Sequence, residues 1–232
     1  MDGVLPCQDR CGACIVARMT KSDAPARKKP RKTQEERSAA TTALLLRAAR
    51  ELFAKKGFAD TATEDILVAA GVTRGALYHH FDNKAALFRA VFEQEEAALT
   101  ARLMKVAQAQ SDPLTGLQAG CRAFLEACLD PVVQRIVLRD ARAVLSLDEL
   151  REIESRYTLA ALRNGLTSAI KAGAMVERPA DMLAHMILGA LSEAAMAIAR
   201  SPNPKKVLKD ALREFDSLID GMTARATAKP AP

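Results

Sequence analysis

An all-α fold is predicted for this chain by three observations. Alanine and leucine dominate a sequence that is 49% hydrophobic, with few glycines and sparse strand formers, and such residues lose little on entering a helix. Apolar side chains recur at helical spacing, first at Leu45, Ala48, Ala49, Leu52 and Phe53, the i, i+3, i+4 stripe of an amphipathic helix. Prolines preceded by aspartate, at Asp112-Pro113 and Asp130-Pro131, stand where helices begin, because proline is well tolerated at the first helical position. A chain of 232 residues can fill one or two cores of this kind.

Taken in order, residues 1–32 show no periodicity and read as a disordered basic arm. Within it, Lys21, Arg27, Lys28, Lys29, Arg31 and Lys32 face Asp23 alone, which is +5 of the net +6 carried by the whole chain. Such an arm can bind phosphates or lie in a minor groove, or serve only as a solubilising tail. The first helix is expected near Thr33, where Thr33-Gln34-Glu35-Glu36 has the form of a capping box. Gly57 stops it, with Phe58 folding back on the last turn.

Residues 62–81 then read as helix, tight turn, helix. Ile66 and Ala70 lie one turn apart, as do Leu77 and Phe81, and with Val72 these can share one small core. Gly71 suits the left-handed end of the first helix; Thr73 can cap the second. Asn83-Lys84 opens a fourth helix running to about Gln110. Further helices are expected from Asp112-Pro113 to Leu129, from Asp130-Pro131 to Leu145, and from Asp148 to Lys171-Ala172-Gly173. Two more run from Pro179 to Arg200 and from Pro204 to Met222, and residues 223–232 read as a loose tail. The count is about nine helices.

The stretch 62–81 carries the function. A helix-turn-helix can set its second helix in the major groove of DNA. With the apolar side turned inward, Thr73, Arg74, Ala76, Tyr78 and His79 face outward or sideways. Gly75 and Ala76 have almost no side chain, so the helix end can approach DNA closely. Arg74 can donate a forked pair of hydrogen bonds to guanine, while Tyr78 and His79 suit phosphate contacts. Lys84 offers a cation in the first turn of the next helix.

The run AGVTRGALYHHFDNKAALF, with RAARELFAKKGF upstream, resembles the N-terminal domain of the TetR/AcrR family of bacterial regulators. The resemblance covers about residues 39–99. It implies an all-helical homodimer, with one DNA-reading and one ligand-receiving domain per subunit, and it implies that Thr73, Arg74, Ala76, Tyr78, His79 and Lys84 sit at the DNA. One departure stands out: the family usually has Ser or Thr capping the first helix of the motif, where this chain has Ala62. Thr61 with Glu64, or Thr63 itself, can supply a displaced cap, and Thr63 is counted with the DNA contacts. The expected organisation is an arm at 1–32, a DNA-binding domain at 39–99, an effector-binding and dimerisation domain at 100–222, and a tail. Family pockets lie among the middle helices, which suggests Phe124, Leu145, Tyr157, His185 and Met186 as lining residues.

Assembly is legible in the last two helices. Met182, Met186, Ala190, Leu191, Ala194 and Ile198, with their neighbours, surround nearly the whole penultimate helix, and a helix apolar on all sides must be covered on all sides. A partner subunit about a two-fold axis would cover it and would match a palindromic operator on double-stranded DNA. No run of roughly 18 apolar residues is seen, so no membrane span is expected, and the N-terminus does not read as a signal peptide. Placement in the cytoplasm, at the nucleoid when bound to DNA, is expected.

Other signals are weaker. Cys7-x3-Cys11-x2-Cys14 has the spacing that holds a [4Fe–4S] cluster in radical SAM enzymes, but those need an α/β barrel around it. The alternative function is a redox- or metal-sensing regulator, or an iron–sulfur protein, using Cys7, Cys11 and Cys14; a start at Met19, whose following residues look like a natural regulator N-terminus, would leave them outside the protein. Cys121 and Cys128 read as small core residues. Arg139, Asp140 and Arg142 read as a surface or subunit salt-bridge cluster. Enzyme signatures such as G-x-S-x-G or H-E-x-x-H are absent, and no cofactor or metal is expected.

Overall fold

The computed structural model describes residues 33–223. Helix α1 (Gln34–Lys56) buries Leu45, Leu46, Ala48, Ala49 and Phe53, with Leu52 packed at the edge. Gly57 ends it at φ 87°, a left-handed conformation that a side chain would strain. Phe58 folds back, its ring 5.7 Å from Phe53 and 5.3 Å from Phe88. Helices α2 (Thr63–Ala70) and α3 (Arg74–His80) are joined through Gly71 at φ 66°. Ile66, Ala70 and Leu77 are buried, and Val72 and Phe81 pack against them, so the five side chains expected to form a core do share one.

Helix α4 (Lys84–Gln108) starts at Asn83, whose side chain accepts from Ala86 N–H at 2.8 Å. Its first half packs Leu87, Phe88, Val91 and Phe92 into the interior, and its length carries it on to α5. Helix α5 (Pro113–Ala127) is capped by Asp112, which accepts from Leu114 and Thr115 N–H.

The helix opened by Pro131 does not stay regular. Val133–Asp140 winds as a π-helix before α6 (Ala141–Val144). The i→i+5 register turns each residue through a smaller angle than an α-turn, so Ile136, Val137 and Leu138 are all buried in succession.

Helix α7 (Leu147–Arg156) starts one residue before the expected Asp148, because Ser146 and Glu149 form a capping box. The single helix expected to reach Gly173 is broken at Tyr157 (φ −117°, ψ −89°), and α8 (Thr158–Lys171) restarts there. Two side-chain bonds anchor the residues at the break. Tyr157 Oη donates to Glu93 Oε1 at 3.1 Å, and Thr158 Oγ1 donates to Glu96 Oε2 at 2.7 Å.

Helices α9 (Ala180–Arg200) and α10 (Pro204–Thr223) complete the fold. Helix α9 is long and apolar enough to cross a membrane by length and composition alone, contrary to the expectation that no such run exists. Half of its apolar stretch is buried in the fold, as in a core helix. Among the described residues there are ten α-helices, the π-helical segment and no strand. Residues from Gln34 onward cluster as one unit. The basic arm, Cys7, Cys11, Cys14 and the tail from 224 lie outside the described residues.

Candidate nucleic-acid interface and central cavity

The start of α3 is built as the sequence pattern requires. Thr73 Oγ1 accepts from Ala76 N–H at 3.3 Å, Leu77 is fully buried beneath, and Thr73, Arg74, Gly75, Tyr78 and His79 are exposed, with Ala76 half-buried. A Cβ placed on Gly75 would meet nothing within 4 Å. The fold itself therefore does not demand glycine there; only a surface that approaches from outside would.

Arg74 bonds through Nη2 to Glu64 Oε1 of α2, with the two side chains 62% and 61% exposed. So solvated a pair holds its partners weakly, and the guanidinium can leave it for a stronger acceptor. Glu64 figured in the sequence reading only as a helix cap. Its spacing across the turn, on the outer side of α2, is the signal that could have paired it with Arg74.

No side chain caps α2 at Ala62. Thr61 is buried with its hydroxyl donating to Gly57 O at 2.7 Å, so it does not cap the helix, and Thr63 becomes the first helical residue, half-buried. Lys84 is also turned from its expected place. Its Nζ donates to Phe58 O at 2.8 Å and Thr61 O at 2.9 Å, and lies 4.2 Å from the centroid of the Phe58 ring. Two of its three N–H groups thus close the α1–α2 turn, leaving one for an outside phosphate.

That turn is tied to the π-helical segment as well. Phe58 N–H donates to Asp140 Oδ2 at 2.8 Å, and Arg139 Nη2 donates to Ala199 O at the end of α9, also at 2.8 Å. The expected salt-bridge cluster is therefore replaced by two bonds to main-chain atoms, made by Asp140 and by exposed Arg139. Arg142 lines a cavity instead.

This central cavity has a volume of about 400 Å³ and is walled by α4 to α9 with the π-helical segment, within the usual size range of small-molecule sites. Phe92, Phe124, Val137, Leu145 and Leu188 give it apolar surface; Glu96, Arg142, Arg151, Glu154 and Glu193 give it charge. Of the suggested lining residues, Phe124 and Leu145 are there. Tyr157, His185 and Met186 are not: Tyr157 is turned onto Glu93, and His185 and Met186 stand on the outer side of α9, opposite buried Ala184, Ile187 and Leu188.

Glu96 is the residue that the sequence reading missed. It is only 5% exposed, and burial pushes its carboxyl up to about 7, with the Thr158 hydroxyl pulling the other way. Burial also raises Glu154, against the pull of Arg151 and Arg142. Cys121 and Cys128 are buried core thiols, both pushed up to about 12 by burial. Such thiols are inert rather than reactive. His79 and His80 stack edge to face, with His80 Nδ1 facing Thr42 Oγ1 at 3.3 Å.

Comparison with known proteins places both halves of the chain. Residues 45–91 match the model of bacterial regulatory proteins of the tetR family, and residues 114–222 match the model of the tetracyclin repressor-like C-terminal domain. A TetR-family transcriptional regulator from Pectobacterium atrosepticum is 36% identical, with a TM-score of 0.73 over 86% of this chain and all of that one. The regulator TtgR of Pseudomonas putida is 48% identical over 63 residues, covering 27% of this chain and 30% of that protein. The regulator FadR of Bacillus subtilis, solved with stearoyl-CoA, is 19% identical with a TM-score of 0.59, over 78% of this chain and 97% of that one, a likeness of fold.

Proposed function

The chain belongs to the TetR family of bacterial regulatory proteins, and on that premise we propose that it is a repressor that leaves a palindromic operator when a small molecule enters the central cavity. The observation that carries the reading is the exposed, capped start of α3, where Arg74 and unhindered Gly75 stand over a buried Leu77. Thr63, Thr73, Ala76, Tyr78 and His79 complete the proposed DNA surface, with Lys84 holding the turn beside it. In this division, α1–α3 and the start of α4 read DNA, and the rest of the chain receives the effector and dimerises.

Transmission follows from shared elements. Helix α4 starts at the DNA unit with Lys84 and lines the cavity with Phe92 and Glu96. The π-helical segment lines the same cavity with Val137 and Leu138 and holds Phe58 through Asp140. An effector that fits the cavity better in one arrangement of these two elements shifts the population toward it. A hundredfold preference, about 2.7 kcal/mol, suffices to vacate an operator bound near threshold.

The homodimer reading is supported by an uncovered apolar strip. Met182 and Met186 of α9 are 61% and 67% exposed, and Leu218 of α10 is 60% exposed, with Gly189 and Ala190 also exposed beside them. A second copy meeting this strip about a two-fold axis would cover it.

The test is fluorescence anisotropy with DNA from upstream of the coding region against random DNA of equal length, using protein that starts at Met1 and protein that starts at Met19. Tight binding that depends on a palindrome supports the reading. Equal, salt-sensitive binding to both DNAs opposes the operator assignment.

A further inference from the structure

The cavity holds a buried acid whose chemistry is incomplete. Glu96 uses Oε2 to accept from Thr158 Oγ1 at 2.7 Å, whereas no hydrogen bond to Oε1 is seen among the described residues and that oxygen is not sealed away from the cavity. The residue lines the cavity and is only 5% exposed. A carboxylate taken this far from water is costly unless a donor meets it.

The charges around it favour a cation. Arg151 lies 3.8 Å from Glu154, and Arg142 acts on that same carboxylate. Glu193 lines the cavity from α9 and is exposed. On α4 itself, Glu93 is held by Tyr157 and by Arg156 at 2.7 Å. Three acids and two guanidiniums thus line the space; among the described residues neither Glu96 nor Glu193 is ion-paired, and of these two Glu96 is the buried one.

We propose that the effector of this cavity is an amphipathic amine, its ammonium group bound by Glu96 and its apolar body lying against Phe92, Phe124, Leu145 and Leu188. The inference rests on the reading of the protein as an effector-controlled repressor and names the class of that effector. Binding an ammonium favours the carboxylate of Glu96. Burial brings that group to about 7, so the amine displaces a proton near neutral pH and binds more tightly as pH rises through that value.

The experiment is titration calorimetry of the full-length protein with three probes sharing one apolar body: 4-tert-butylbenzylamine, the matching benzyl alcohol and the matching benzoate. Buffers of different ionisation enthalpy count the protons released. The amine is expected to bind on the order of tenfold more tightly than the alcohol, the margin of a charge-assisted over a neutral hydrogen bond. It should release about half a proton at pH 7 and almost none well above it. Glu96→Gln should bring the amine down to the level of the alcohol and abolish the proton release.

Equal binding of amine and alcohol, preference for the benzoate, proton release that survives Glu96→Gln, or no amine binding at millimolar concentration would overturn the proposal. Operator binding by the same protein samples separates the two levels of inference. Palindrome-dependent binding with no amine preference refutes only the effector class. Amine preference without sequence-dependent DNA binding refutes the repressor reading.

Discussion

The buried carboxyl of Glu96 makes stability depend on pH in a direction opposite to that of most acids. In the unfolded chain it titrates near 4.5, and in the fold near 7. Between these values the folded state binds more protons than the unfolded one, so stability falls as pH rises. Below 4.5 both states are protonated and the group costs nothing; above 7 the fold must hold a buried charge. At about 1.4 kcal/mol per pH unit, the interval between the two values amounts to about 3 kcal/mol. Glu96→Gln removes the charge, keeps the shape and can still accept from Thr158. The variant should therefore melt roughly 6–12 °C above the wild type at pH 8.5, given about 2–4 °C per kcal/mol for a chain of this size. At pH 4, below the unfolded value, the two should nearly coincide. Differential scanning fluorimetry of the ligand-free protein at both pH values is the assay. The same gap at both values, or none at either, would show that burial does not govern this carboxyl.

Four further outcomes are expected. Arg74→Ala should lose about 1–3 kcal/mol of operator affinity, confined to one base position in each half-site, while Glu64→Gln, which only frees Arg74, should leave melting almost unchanged; equal losses by Arg74→Ala on all DNA would count against base reading. Gly75→Leu should fold at least as well as the wild type, gaining up to about 1 kcal/mol in helix propensity, yet bind operator poorly in anisotropy measurements. Asp140→Ala should lower stability by about 1.5–3 kcal/mol, as for a hydrogen bond to a charged group, and weaken effector response, with Asp140→Asn milder because an acceptor for Phe58 N–H remains; unchanged melting and response in both would remove Asp140 from the coupling. Met186→Asp should shift sedimentation toward monomer while leaving the helical circular dichroism in place, and an unchanged sedimentation coefficient would move the dimer contact elsewhere.

Much of this was legible because local rules agreed with the final packing. The stripe from Leu45 to Phe53, the left-handed Gly71, and the caps at Thr73 and Asp112 each depend on residues only a few positions apart. What escaped depends on contacts between elements. Nothing in the run Glu93-Gln94-Glu95-Glu96 singles out one acid, and only the packing of α7 and α8 against α4 buries the last of them. Lys84 looked like a surface cation because nothing nearby in sequence says that the carbonyls of Phe58 and Thr61 will face it. The break at Tyr157 has no proline or glycine to announce it, and its residues are held by two bonds across to α4. Of the lining residues that the family resemblance suggested, Phe124 and Leu145 border the cavity, whereas which face of α9 turns inward was undecidable in a helix apolar all round.

The ties around the α1–α2 turn are one-sided in their chemistry. Lys84 and Asp140 both end on main-chain atoms, at Phe58 and Thr61 O and at Phe58 N–H. Any amino acid supplies a carbonyl, and any but proline supplies the N–H. A saturation scan should therefore show a lopsided tolerance map: exposed Ala59 and Asp60 accept nearly everything, Gly57 and Phe58 are held by backbone angle and ring packing, and intolerance concentrates on the two side chains that reach in. Drift in the loop's sequence would then leave its position unchanged, so the reading surface can diversify while the frame that carries it stays fixed.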